Sequence, residues 1–67
     1  MTIVMKCERS LDGKRECTLE CERYGYRSVV YELFGDINWR EIHTSQWTRD
    51  EGKAKQAFGR FARKYVR

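Results

Sequence analysis

The chain has 67 residues, of which 40% are apolar and 36% charged, with no proline and a formal net charge of +4 at pH 7. That length excludes a two-domain enzyme and leaves little volume for a closed substrate pocket, because a chain of this size hides only roughly 60% of its unfolded surface on folding. The apolar and charged shares and the absence of proline together argue a folded soluble protein over a disordered tail.

No run approaches the roughly 18 consecutive apolar residues of a membrane span, and Met1–Lys6 is too short for a secretory signal. A cytoplasmic protein without membrane contact is therefore expected. Three cysteines make an odd set, whereas disulfide-stapled secreted domains usually carry an even one, so free thiols are expected. The charge is unevenly divided: residues 1–48 carry seven Lys/Arg and eight Asp/Glu, and residues 49–67 carry seven and two. A cationic segment beside a near-neutral one is a footprint that polyanions recognise.

In chain order, residues at about 2–9 alternate, with Ile3, Met5 and Cys7 on one side and Val4, Lys6 and Glu8 on the other, the period-2 pattern of a half-buried strand. Ser10-Leu11-Asp12-Gly13-Lys14 reads as a hairpin loop, a type I turn at Leu11-Asp12 followed by Gly13 with positive φ as a G1 bulge. A three-residue loop pairs Cys7 with Cys17, Met5 with Leu19 and Ile3 with Cys21, all apolar. A slip of one sets Cys7 opposite Thr18 and Met5 opposite Glu20, which mixes core and solvent faces, so the first register is expected.

Arg23-Tyr24-Gly25 repeats this turn between a second strand at about 15–22 and a third at about 26–34, whose Val29, Tyr31 and Leu33 join the inward face. Gly35-Asp36 suits a II′ turn into a fourth strand at about 37–44, with Ile42 inward. Thr48-Arg49-Asp50-Glu51 then matches a capping box, in which Thr48 Oγ1 accepts from the Glu51 amide and the Glu51 carboxylate accepts from the Thr48 amide. Over a helix at about 49–66, Ala54, Ala57, Phe58, Phe61, Ala62 and Tyr65 follow the i, i+3, i+4, i+7 spacing of one apolar stripe. The expected architecture is α+β: a four-stranded antiparallel β-meander with one C-terminal helix packed on one face, ββββα in two layers, as a single domain over residues 1–67.

Two surfaces are candidate sites. Lys53, Arg60, Arg63, Lys64 and Arg67 fall in a narrow arc opposite the apolar stripe, on a helix about 27 Å long. Cations so arranged meet the phosphates of DNA or RNA and give sequence-independent affinity. Gly59 opens the helix to close approach by a phosphate or by the protein's own sheet, and costs roughly 1 kcal/mol relative to alanine. The outer sheet face presents Lys6, Glu8, Thr18, Glu20, Glu22, Glu32 and Glu41 beside Val30, Phe34, Ile37 and Trp39. An apolar corner rimmed by acids marks a protein interface.

The plan is similar to small DNA-binding modules of the AP2-like and integrase arm-binding type, three strands and a helix, which read a groove with a cationic sheet. The five carboxylates on this face depart from that pattern. The first expectation is a non-enzymatic nucleic-acid-binding module. The alternative is a protein-directed inhibitor or adaptor, of the kind phages encode against bacterial defence nucleases, docking on a nucleic-acid-binding protein through the outer face; homodimerisation fits that face equally.

Cys7, Cys17, Cys21 and His43 do not make a zinc set, because Cys17 and Cys21 on one strand lie about 13 Å apart. Cysteines packed as small hydrophobes are expected, with a Cys7–Cys17 disulfide geometrically conceivable on oxidation. One histidine without an acid or nucleophile partner, and no glycine-rich phosphate loop, give no catalytic residue and imply no cofactor.

Overall fold

The computed structural model describes all of residues 1–67. The chain runs through β1 (Ile3–Arg9), β2 (Arg15–Glu22), β3 (Gly25–Phe34), β4 (Asn38–Thr44) and α1 (Glu51–Phe61), which continues as one π-helical turn, Ala62–Val66. Every strand pairing is antiparallel and the sheet order is β1-β2-β3-β4, so the fold is the expected ββββα meander with its helix on one face.

The core lies between sheet and helix. Cys17 and Leu19 of β2 and Val30 of β3 pack against Ala54, Phe58 and Val66, with Tyr26, Ile42, Phe61 and Tyr65 at the margin. Ala54, Ala57 and Ala62 are buried, and their small side chains let the helix lie close to the strands. Val66 joins this face because the last turn widens: Arg67 N donates to Ala62 O, five residues back, at 2.8 Å. In an unbroken α-helix Val66 would sit about 80° round from Phe58. The wider turn swings it back onto the sheet.

The helix starts later than the capping box implies. Tyr26 N donates to Thr48 O at 2.7 Å and Thr48 N to Tyr26 O at 2.9 Å, so Thr48 is held as an extended bridge to β3. Asp50 caps instead, its Oδ1 accepting from Lys53 N at 3.2 Å, while Thr48 Oγ1 accepts from Asp50 N. Glu51 turns to Lys55, one helical turn on, at 2.9 Å.

Loop lengths correct two of the expected registers. Glu22 pairs with Gly25, so the β2–β3 loop has two residues, Arg23-Tyr24, and Cys17 faces Val30. A slip of one residue turns every side chain over. Val30 therefore lies under the helix, fully buried, and Val29, Tyr31 and Leu33, expected inward, occupy the outer face. At the first hairpin Ser10 N donates to Arg15 O at 2.9 Å and Gly13 N to Ser10 O at 3.0 Å, with Gly13 at φ 72°. The turn and its positive-φ glycine are as expected, but the loop has one residue more.

Asp12 holds that longer loop, its Oδ1 accepting from the Ser10 hydroxyl and from Lys14 N. The expected Cys7–Cys17 and Met5–Leu19 pairs give way to Cys7–Thr18, Lys6–Leu19 and Glu8–Cys17, and a bulge at Met5 restores Ile3–Cys21. Cys7 and Cys17 consequently face opposite sides of the sheet, which removes the disulfide between them, and all three cysteines are free. The third loop is also longer than a II′ turn: Phe34 pairs with Asn38, leaving Ile37 in the loop with Gly35 and Asp36. Ile42 sits at a bulge between the Tyr31–Glu41 and Val30–His43 pairs and packs on the core, inward as expected.

Gly25 has φ 150°, and a Cβ there would lie 2.6 Å from the Thr48 carbonyl oxygen, whereas a Cβ on Gly13 would meet nothing. Gly25→Ala should therefore lower unfolding free energy by about 3 kcal/mol, against about 1 kcal/mol for Gly13→Ala. Urea denaturation reads the difference as a shift in midpoint at unchanged slope.

Candidate nucleic-acid interface

α1 and the π turn carry the cationic surface. Lys53, Arg60, Arg63 and Lys64 are exposed, and none lies within 4.0 Å of a carboxylate. Arg49, just before the cap, is exposed and unpaired as well; the charge count included it, but its place outside the helical stripe hid it as a site residue. Arg67 does not join this group. Its Nε donates to Glu8 Oε1 at 2.7 Å and its Nη2 to Glu8 Oε2 at 3.1 Å, tying the chain's last residue to β1. That bidentate bond holds the Glu8 carboxyl below its ordinary range and raises the guanidinium.

Gly59 lies in a shallow open depression of about 460 Å³, lined with Lys55, Gln56, Arg60 and Arg63 and without an apolar side chain. A Cβ at Gly59 would meet only Arg63 Nη1, at 3.8 Å. Of the two reasons for a glycine here, close packing on the protein's own sheet is excluded. Gly59 is half-buried, in the depression that Arg60 and Arg63 line.

The outer sheet face is far less acidic than the residue list implies, because its carboxylates are tied to cations across the strands. Glu20, expected in solvent, is buried and accepts from Arg27 Nε at 3.1 Å, Thr18 Oγ1 at 3.0 Å and Tyr31 OH at 2.7 Å. A buried carboxylate with three donors meets the demand that desolvated charge be paired and hydrogen-bonded. Glu16 holds Arg9 at 2.7 Å, and Glu22 lies 3.3 Å from the N-terminal ammonium. Glu32, also expected on this face, points to the helix side and pairs with Arg15 at 2.9 Å. Glu41 alone among the expected interface acids is exposed and free of an ion partner.

The expected apolar corner is likewise dispersed. Val30 is buried; Phe34 lies on the helix side beneath Arg40, whose guanidinium carbon is 4.8 Å from the ring centre. Trp39 lies on the opposite face, beside Glu16 and Tyr31, with Arg9 5.7 Å from its ring. Ile37 projects from the loop, 81% exposed. Arg9, Arg27, Tyr31, Trp39 and Trp47 lie along the outer face, with Arg27 4.6 Å from the Trp47 ring. These long side chains form a thin second layer around Thr18, Glu20 and Val29, which are all buried.

Two titrating groups show the character of this layer. Burial, then the bond to Glu20 and its charge, pushes Tyr31 up to about 12. Its phenol thus stabilises the fold fully below the ordinary tyrosine value near 10, and that contribution is lost as pH rises from about 10 to about 12. Cys7 is exposed and its Sγ donates to Glu16 Oε1 at 3.1 Å. Partial burial, then that bond and the Glu16 charge, pushes the thiol up to about 11.

No family model, no curated protein and no solved structure matches this chain.

The raised thiol makes Cys7 a poor nucleophile in spite of its exposure. In a variant with Cys21 replaced by serine, native Cys7 should react with a disulfide reagent at pH 8 about tenfold more slowly than an unperturbed thiol, the roughly hundredfold loss of thiolate being offset in part by its higher intrinsic nucleophilicity. Glu16→Gln, which removes the carboxylate charge but leaves the partial burial, should recover part of the rate, read from the absorbance of the released thiolate.

Proposed function

We propose that the protein is a non-catalytic module that binds the backbone of DNA or RNA through the exposed face of α1 and the π turn. The observation that carries this reading is the contrast in charge pairing. Lys53, Arg60, Arg63 and Lys64 have no carboxylate within 4.0 Å, whereas six of the ten acids, Glu8, Glu16, Glu20, Glu22, Glu32 and Glu51, are held in ion pairs. Lys6, Lys14, Arg23, Arg40 and Arg49 are unpaired too, but residues 49–67 carry seven Lys/Arg against two Asp/Glu, so the net positive charge lies in the segment that holds the helix.

Lys53 to Lys64 covers about 16 Å of helix. A duplex of that length carries about nine phosphate charges, enough to meet all four cations. Gly59 lets a phosphate approach the helix backbone between Arg60 and Arg63. Lysine and arginine on an exposed helix that no complementary groove shape accompanies neutralise phosphate without reading bases, so affinity should be independent of sequence.

The protein-directed reading retains less. Trp39, Ile37 and Glu41 remain exposed on or beside the outer face, but Glu20, Glu32 and Val30 are withdrawn from it and Phe34 belongs to the other side.

Fluorescence anisotropy on a labelled random duplex tests the proposal. Four phosphate contacts predict that raising salt from about 50 to about 200 mM weakens binding about 150-fold. Arg60→Glu combined with Arg63→Glu should abolish binding at the lower salt, and Trp39→Ala should leave it unchanged. Absence of binding at low salt, or undiminished binding by the doubly reversed variant, overturns the reading.

A further inference from the structure

β1 leaves one edge of the sheet without a partner strand. Its first three residues are apolar and open, with Ile3 59%, Val4 54% and Met5 42% exposed. An exposed apolar edge strand is a template for another chain. The hydrogen-bonding phase of the hairpin defines which backbone groups are available. Ser10 N donates to Arg15 O, so the hydrogen-bonded pairs alternate from Ser10–Arg15 to Glu8–Cys17 and Lys6–Leu19. The amides and carbonyls of Cys7 and Arg9 therefore point away from β2, into solvent.

Between the Met5 bulge and the loop, the strand reads Lys6-Cys7-Glu8, with Lys6 and Glu8 on the helix side and Cys7 on the outer side. A two-fold axis through Cys7 sets Lys6 opposite the partner's Glu8 and Glu8 opposite the partner's Lys6, all on one face. The Cys7 amides and carbonyls then bond reciprocally. Other antiparallel registers do not match charge to charge: centring on Met5 opposes Lys6 to Val4, on Lys6 opposes Glu8 to Val4, and on Glu8 opposes Lys6 to Ser10. Within one chain Lys6 has no carboxylate within 4.0 Å, and Glu8, whose two oxygens each accept one bond from Arg67, keeps a second lone pair on each for the partner's Lys6. Beyond the bulge, the same register brings Ile3 and Val4 alongside the partner's Leu11, which is itself fully exposed.

We propose that two copies of this chain join at their β1 edges, antiparallel about a two-fold axis through Cys7, to form a continuous eight-stranded sheet. The occupant of the edge is a second copy because the charge pattern is self-complementary. Opposite charges facing across a strand pair favour it and like charges oppose it. The axis is perpendicular to the sheet, so both helices lie on one side and both cation rows face the same way. The association itself requires no nucleic acid.

The test is sedimentation velocity on nucleic-acid-free protein from about 10 to about 500 µM, since a dimer must strengthen with concentration. The wild type should reach twice the mass of one chain. Lys6→Glu alone and Glu8→Lys alone place like charges across the axis and should each weaken self-association at least about tenfold. An equimolar mixture of these two variants restores both opposite-charge pairs and should dimerise. Far-UV circular dichroism checks that each variant is folded. If either is not, amide hydrogen exchange on the wild type decides, because Cys7 and Arg9 amides should slow between the lowest and highest concentration. A monomeric wild type at every concentration, a dimer that both single variants retain, a mixture that stays monomeric, or concentration-independent exchange at Cys7 and Arg9 overturns the proposal.

Discussion

The pairing of Glu22 with Gly25 determines which side of the protein every residue of β3 occupies. A two-residue loop at Arg23-Tyr24 sends Val30 beneath the helix and Tyr31 to the outer face, and the next backbone contact locks that choice. Gly25 packs directly against the Thr48 carbonyl, and Tyr26 and Thr48 exchange two hydrogen bonds, so the segment entering the helix is fixed to the same strand whose register it depends on. With Thr48 held in that bridge, Asp50 becomes the cap, and α1 is launched across β2 and β3 at an angle that seats Ala54 and Phe58 on Leu19 and Val30. No side chain at position 25 is compatible with this arrangement.

Once the strands are in register, three of the ten acids, Glu16, Glu20 and Glu32, are consumed by cross-strand arginines. Glu20 meets Arg27 directly opposite it, and Glu16 meets Arg9 in the same way, each on the outer face. These pairs also explain how a four-stranded sheet with one helix stabilises its uncovered side. Arg27 and Trp47, Arg9 and Trp39, and Tyr31 lie along the strands as amphipathic side chains that shield the polar centre while keeping charged ends wet. The sheet thus contributes little net charge, and the cations of the helix are left unopposed.

The fold class was legible in the sequence because it rests on signals that do not depend on register: period-2 segments separated by glycine turns, and an i, i+3, i+4, i+7 stripe with Phe58 at its centre. The face assignments of Cys7, Val29, Val30, Tyr31 and Leu33 were not legible, because each reversed with a single residue of loop length. Apolar matching favoured Cys7 against Cys17, but the Asp12 carboxylate, accepting from Ser10 and Lys14, fixes a longer loop, and a bulge at Met5 absorbs the difference. The helical cations were readable for the opposite reason. Their exposure follows from the apolar stripe alone, and only Arg67 departs from it, turned back to Glu8 at the widened last turn.

The cation row is not what stability would select. Arg60 has Arg63 and Lys64 at i+3 and i+4, spacings at which like charges destabilise a helix by about 0.2–0.5 kcal/mol per pair. Arg63 and Lys64 recover part of this near the helix C-terminus, where the macrodipole favours positive charge. Lys53 gains nothing of the kind, since it sits in the first turn, at the positive end, where an acid would serve better. Gly59 adds a further local cost of roughly 1 kcal/mol relative to alanine, with no packing contact to require it. Four cations without carboxylate partners and a glycine that no packing contact requires carry a local cost that contact with a polyanion would offset, because a bound phosphate turns each repulsion into shared attraction.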